Sequence, residues 1–302
     1  MFQFFANIFG YVLNFIYEFV NNYGLAMIIF TIVIKLVMLP LSIKQQKTLK
    51  KNMKLQEKMK VIQFKYKNDP EKLNKEMMKL YKDENMSPFS GCLSAILQII
   101  LLFSMFYMVR SPLTYMKKVD TDTLNSYAEQ LQQDGKSVSA AYPEIDIIRE
   151  YDYLQEKNKD DEKIKELSLN MNFLGLDLSK IPQQNLTDWT VYIIPILYIF
   201  SSFISMKLTT AMQNKDKKQD NIIDVTENNG TKENSEEKGL IKKEDEEYDP
   251  MAQTNKMMSW MMPLMSVSVS LVAPLGLALY WFVSNILMIL ESIVLNKLIK
   301  DD

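Results

Sequence analysis

The side chain most able to do chemistry is a lysine where no charge is expected. Lys35 lies inside an apolar segment, Tyr23–Ile43, twelve residues after Tyr23. At 1.5 Å per helical residue it sits roughly 18 Å from the start of that segment. An ammonium at mid-membrane costs on the order of 3 kcal/mol on insertion scales. Such a group needs water, a partner or a use. Two readings stand side by side. Either the lysine stem snorkels toward the nearer end at Ile43, or the head group points into a wet groove among helices.

Other apolar segments carry polar residues that could line such a groove. They are Gln98; Ser201, Ser202 and Ser205; and Ser284 and Asn285, close to Trp281. Taken singly, each also fits an interhelical hydrogen bond. Glu291 follows Gly276 by about 15 residues, which places it roughly 22 Å along its segment, a depth similar to that of Lys35. It either partly neutralises Lys35 or lies as a carboxylate near the rim.

The chain has no histidine, so a Ser-His dyad and an HExxH zinc site are excluded. Glu291 is essentially the only carboxylate in the apolar segments, which argues against a paired-carboxylate protease. No catalytic residue, metal site or cofactor is expected. A lone cysteine, Cys92, cannot form an intrachain disulfide and reads as a small buried apolar residue.

The elements that must position these residues are membrane spans. The mean hydropathy of −0.12 would suit a soluble protein, but it averages long apolar blocks with blocks dense in charge. Five segments approach the roughly 20 apolar residues a bilayer core requires. They are Tyr23–Ile43, Phe89–Arg110, Trp189–Met206, Met257–Val272 and Leu277–Ile299. Ala273-Pro274-Leu275-Gly276 makes the last two a tight hairpin.

Loop charge gives the direction. Residues 44–87 hold 13 lysines and 6 acids, net +7, and residues 111–188 hold 9 basic and 15 acidic residues, net −6. The positive-inside rule puts 44–87 in the cytoplasm and 111–188 outside. Lys207, Lys215, Lys217, Lys218 and Lys256 flank 208–255, which fits a cytoplasmic loop, and Lys297 and Lys300 agree. The N-terminus is then external and the C-terminus cytoplasmic. Residues 213–250 have the composition of disorder.

Gln3, Asn7, Gly10, Asn14 and Glu18 form a polar stripe on an otherwise apolar 1–20 segment. That moment suits a helix on the membrane surface, and an uncleaved signal anchor is the other reading. Residues 44–68 continue the first span as a basic helix, which Asn68-Asp69-Pro70 breaks. Asp69 is a good N-cap and Pro70 a good first helical residue, so a second helix follows and ends near Met86-Ser87-Pro88. The pair reads as an antiparallel hairpin. Its lysines, among them Lys47, Lys50, Lys51, Lys54, Lys58 and Lys60, form a solvated face and a topology signal. They also offer a docking surface for anionic lipid, ribosomal RNA or a targeting factor. The external loop has acidic helix-like stretches such as Tyr151–Leu167 and no evident chemistry.

Several blocks, in order, resemble the YidC/Oxa/Alb3 family of membrane insertases, in the form found in Gram-positive bacteria. Tyr23-Gly24-Leu25-Ala26 leads into a span with an internal basic residue and then Leu39-Pro40-Leu41. Glu76-Met77-Met78-Lys79-Leu80-Tyr81-Lys82 lies in the charged hairpin. Ser87-Pro88, Gly91-Cys92 and Gln98 open the second span. Pro274-Leu275-Gly276-Leu277-Ala278-Leu279-Tyr280-Trp281 and Asn285 close the set. The resemblance covers roughly 21–112, 171–210 and 255–299.

It implies an all-α integral membrane protein of the bacterial cytoplasmic membrane. Five transmembrane helices would surround a hydrophilic groove, beside an N-terminal amphipathic surface helix and a cytoplasmic helical hairpin. The family's intramembrane positive charge, usually Arg, falls on Lys35. The implied partners are nascent membrane proteins, the Sec translocon, the ribosome, the signal-recognition receptor and anionic lipids, and not DNA. The chain departs from the family at Lys35, which lacks the five-donor fork of Arg. It departs again at Ser205 and Glu291, where Gln is common, and at Ser94 and Ile100, where Pro is frequent. The tail ends at Asp301-Asp302 and not in a basic extension. A polytopic transporter or channel using Lys35 as its substrate site is the alternative, though the spans show no internal repeat.

Overall fold

The computed structural model describes residues 1–84, 90–227 and 267–298. The chain forms two compact units. The first comprises Met1–Met38, Leu97–Phe203 and Leu264–Leu290; the second comprises Leu39–Ile96, Ile204–Pro263 and Glu291–Asp302. Helices dominate, as expected of an all-α membrane protein.

Among the described residues, three helices are long and apolar enough to cross a membrane: Tyr23–Thr48, Trp189–Leu208 and Leu275–Asn296. Only 22–28% of their most apolar windows is buried within the protein. Leu36, Val37, Ile196, Phe200 and Leu290 face outward. Apolar surface on that scale is stable only against lipid. The expected second span, Phe89–Arg110, contributes a shorter apolar helix, Ile96–Arg110, among the described residues. Most of the expected fourth span, Met257–Val272, lies outside them.

In the first unit, α1 (Phe2–Val20) buries Ala6, Phe9, Gly10, Leu13 and Tyr17. This redraws the expected polar stripe. Gly10 belongs to the buried face, where it lets α1 close onto the backbone of Tyr115; a Cβ there would run into the Tyr115 carbonyl. Phe9 meets Phe30 edge to face, with ring centroids 5.9 Å apart. Tyr115 lies in a π-helical turn, Leu113–Lys117. That turn brings two cations to a helix that has none of its own. Lys117 sits over the Tyr17 ring at 4.8 Å, and Lys118 sits over the Tyr11 ring at 4.1 Å while donating to Asn7 Oδ1 at 2.8 Å. Phe4, Ile8, Phe15 and Phe19 form a second apolar face, which is exposed.

The expected external loop is a small layer of helices that shares one hydrophobic core with α1 and the span starts. It contains α5 (Thr121–Gln133), α6 (Pro143–Arg149) and α7 (Tyr151–Lys157). Leu124, Tyr127, Leu131, Ile145, Ile148, Leu154, Ile164 and Leu167 fill its interior. Asp120 caps α5 by accepting from Thr123 N at 2.8 Å. Glu144 of α6 is buried and accepts from Thr114 N at 3.0 Å and Thr114 Oγ1 at 2.6 Å, which fixes the π-helical turn. Burial raises the Glu144 pKa above the ordinary carboxylate value, and the Thr114 donors oppose that rise. A two-residue hairpin follows, β1 (Asn172–Phe173) and β2 (Leu176–Asp177), antiparallel, with Asn172 opposite Asp177.

Helix α2 (Tyr23–Lys65) runs as one helix from the first span through the basic stretch, its residues from Leu39 onward belonging to the second unit. Asp69 then caps α3 (Pro70–Asp83), accepting from Lys72 N at 3.1 Å, with Pro70 at its first position as expected. Tyr81 lies against Met59 Sδ at 3.6 Å and Lys58 pairs with Glu84 at 2.5 Å, which makes the two helices an antiparallel hairpin. Helix α8 (Ile193–Glu227), which holds most of the expected third span, extends to Glu227, into the segment whose composition suggested disorder from residue 213 onward. The rest of that segment lies outside the described residues.

Candidate functional site

The best-defined polar constellation among the spans joins α8 to α9 (Leu275–Leu298). Asn285 is buried on α9, and its amide nitrogen donates to both Ser201 Oγ and Ser202 Oγ, each at 3.0 Å. A carboxamide has two N–H groups, so one donor serves each hydroxyl. The hydroxyls pass their own protons to one acceptor, the Tyr198 carbonyl, at 2.8 and 2.9 Å. One turn earlier on α9, the Trp281 ring lies 5.8 Å from the Tyr198 ring, tilted by 32°. Ser284 is hydrogen-bonded to Tyr280 on the same helix.

Ser201, Ser202, Trp281 and Asn285 are thus brought together, with the Tyr198 carbonyl as an added member. A backbone carbonyl gives no sequence signal, so that member was not legible from residue type. The immediate work of the cluster is interhelical. It satisfies four polar groups where lipid cannot.

Lys35 is half-buried on α2. One turn before it, Thr31 is buried and donates to the Met27 carbonyl at 2.6 Å. Leu36 and Val37 are exposed. Successive helical residues turn by about 100°, so Lys35 sits at the border between the packed face and the outward apolar face. Gln98, on α4 (Ser90–Arg110), is exposed. Ser104, on the same helix, is buried and donates to the Ile100 carbonyl at 2.7 Å.

Ser205 and Glu291 belong to the second unit. Ser205 is buried and Glu291 half-buried, with Oε1 shielded from solvent. In the hairpin, Lys47 and Lys51 are exposed and Lys50 is half-buried. Lys58 pairs with Glu84, which ties α2 to the end of α3. The side chains of Lys54 and Lys60 lie outside the described residues. Among the described residues no group of three or more potential ligands is placed to hold a metal ion.

The span ends are fixed by backbone. The Leu275 and Gly276 N–H groups donate to the carbonyls of Lys180 and Leu178, each at 2.9 Å, and Tyr23 N donates to the Asn170 carbonyl at 2.9 Å. Tyr23 packs on Gly276, where an added Cβ would come within 3.1 Å of its ring. The starts of α2 and α9 are therefore both tied to residues 170–180.

Comparison with known proteins places this arrangement. The model of the 60Kd inner membrane protein family matches residues 15–302. A protein of Chlorobaculum parvum named membrane protein insertase YidC is 29% identical over 96% of this chain and 36% of its own length. One of Treponema denticola with the same name is 28% identical over 96% of this chain and 37% of its own length. One of Caldanaerobacter subterraneus subsp. tengcongensis, also so named, is 42% identical over 34% of this chain and half of its own length. The matches therefore span between about a third and a half of each of these relatives. With the family model covering nearly every residue, and with the ordered motifs from Tyr23 to Asn285 in place, the chain belongs to the 60Kd inner membrane protein family, the YidC/Oxa family.

Proposed function

We propose that this protein is a non-enzymatic membrane protein insertase and chaperone. It receives the polar segment of a nascent membrane protein in an intramembrane hydrophilic groove. It then releases the client's hydrophobic helix into lipid, with or without the Sec translocon. The observation that carries the reading is Lys35, an ammonium at the border of the packed face of an apolar helix, in a chain of this family.

An ion pair at 4 Å with an effective dielectric constant near 20 is worth about 4 kcal/mol. That is enough for Lys35 to offset part of the desolvation of an acidic client segment. Gln98 and Ser284 supply further polar groups, and the Asn285 cluster clasps the two helices that carry it. Burial of the client's apolar helix in lipid then drives release, so no nucleotide is consumed. Five spans, an external N-terminus, a cytoplasmic C-terminus and the bacterial cytoplasmic membrane complete the reading. The lysines of the α2–α3 hairpin face anionic lipid, the ribosome or the signal-recognition receptor.

A photo-crosslinking residue placed at Gln98, an exposed polar position of α4, tests it with stalled nascent chains of a single-span client. Crosslinks to the client's polar segment are expected. Solute or ion flux in proteoliposomes that is abolished by Lys35→Gln, without client crosslinks, would instead support the transporter reading.

A further inference from the structure

The β1–β2 hairpin turns through Leu174 and Gly175, with φ of 51° and 81°. Positive φ at both central residues is the type I′ pattern, in which Asn, Asp or Gly normally stands first. A leucine there carries left-handed strain. Its side chain packs on nothing that would compensate, being 87% exposed, the most exposed of the described large apolar side chains. A water-facing turn has no use for such a residue.

The position of the hairpin supplies one. It is fastened to the starts of the spans. Asn22 Nδ2 donates to the Asn172 carbonyl at 2.7 Å. The Phe173 ring occupies the space that a Cβ on Gly24 would fill. The strand leaving β2 accepts from the first residues of α9 at Leu178 and Lys180. The helical turn Trp189–Tyr192, which opens the second of the three candidate spans, lies beside β2. All three candidate spans therefore begin at the level of this hairpin. Two more apolar side chains stand out from the same segment, Leu186 at 70% and Trp189 at 72% exposure. Of the nearby charges, one lysine and one carboxylate form a matched pair. Lys180 pairs with Asp188 at 2.8 Å, and Asp177 accepts from Ser179 Oγ at 2.6 Å. Matched charges lower the penalty of approaching a low-dielectric layer.

We infer that Leu174, with Leu186 and Trp189, is a membrane-interface anchor. The hairpin tip dips into the boundary between head groups and acyl chains in the leaflet where the three spans begin. Its occupant is lipid, because Trp189 is itself the first residue of a candidate span and the hairpin segment is hydrogen-bonded to the starts of the other two. Leucine and tryptophan suit that boundary, and immersion removes the apolar surface from water. The anchor fixes the depth of the layer that holds the starts of α2 and α9. Two carboxylates, Asp177 and Asp188, stand beside the one lysine, Lys180, so the tip offers no basic cluster and does not depend on anionic lipid. It holds whichever client or solute the protein handles.

The test uses the full chain with Cys92→Ser and a nitroxide label on Leu174→Cys or, as reference, Asp160→Cys, an exposed position of the α5–α7 layer. Proteoliposomes of phosphatidylcholine, with and without phosphatidylglycerol, are examined by power-saturation EPR with oxygen and a water-soluble nickel chelate. Position 174 is expected to favour oxygen and resist nickel at least threefold more than position 160. The result should be the same in both lipid mixtures and after tenfold dilution with lipid. Nickel access equal to that at 160 would overturn the proposal. Protection that vanishes on dilution would overturn it too, assigning the patch to a second copy of the chain. Leu174→Asn keeps the test independent of folding. It relieves the strained turn, so its unfolding midpoint in detergent should equal or exceed that of the unaltered protein, while a label at Leu186→Cys moves toward water. A lowered midpoint would make Leu174 a packing residue and end the proposal.

Discussion

Removing Asn285 isolates two hydrogen bonds that link α8 to α9. Asn285→Ala deletes both bonds to Ser201 and Ser202, while the serines keep their own bonds to the Tyr198 carbonyl. Interhelical hydrogen bonds in membrane proteins average about 0.6 kcal/mol and reach about 1.7. Two of them give about 1.2 kcal/mol, with an upper bound of about 3.4. The substitution also removes side-chain volume, so the single variant overstates the bonds. A double-mutant cycle corrects for that, pairing Asn285→Ala with the combined Ser201→Ala and Ser202→Ala change. Equilibrium unfolding in mixed micelles, followed by helical circular dichroism, supplies the four free energies. The coupling should fall between about 1 and 3 kcal/mol by the bond energies above. Additivity within about 0.3 kcal/mol would show that the serines and Asn285 do not sense one another, and the clasp would have to be abandoned.

Three further outcomes are expected. Gly10→Ala drives a Cβ into the Tyr115 backbone, so α1 should lift from the Leu113–Lys117 turn, seen as faster hydrogen exchange in residues 113–117; unchanged exchange would contradict that packing. Gly24→Ala displaces the Phe173 ring and should destabilise the protein by about 1–3 kcal/mol, the usual range for overpacking, with a matching fall in unfolding midpoint. Glu144 has a folded-state pKa raised above its unfolded value, so the folded state binds the extra proton. Its contribution is present at low pH and is lost as pH rises through the raised pKa. The turn at Thr114 should therefore gain protection on mild acidification, and Glu144→Gln should flatten that dependence in pH-resolved hydrogen exchange.

Much of the scaffold was legible in residue order because it depends on local rules. Asp69-Pro70 announced a helix start and the structure uses it as one, since cap and proline act within a single turn. Apolar run length marked Tyr23, Trp189 and the segment after Gly276 as spans for the same reason. What stayed hidden depends on distant partners. Asn285 and its two serines stand more than 80 residues apart, and only packing shows that one amide serves both hydroxyls. Gly10 looked polar because glycine ranks low on any apolar scale. Its role is a missing side chain against Tyr115, which periodicity cannot register. The strained Leu174 turn was equally silent, because a leucine beside a glycine carries no hairpin signature of the Asn-Gly kind. Lys35 was legible as an anomaly, and the fold adds that it borders the packed face of its helix.

Client insertion is expected to depend on the Lys35 ammonium. In cells depleted of their own insertase and supplied with this chain, insertion of a single-span client with an acidic external segment can be followed by protease protection. Loss of even 1.4 kcal/mol of the ion-pair energy is a tenfold effect. Lys35→Arg should keep most insertion, and Lys35→Gln, at equal protein level, should reduce it at least tenfold. Insertion by Lys35→Gln at the rate of the unaltered protein would contradict the account.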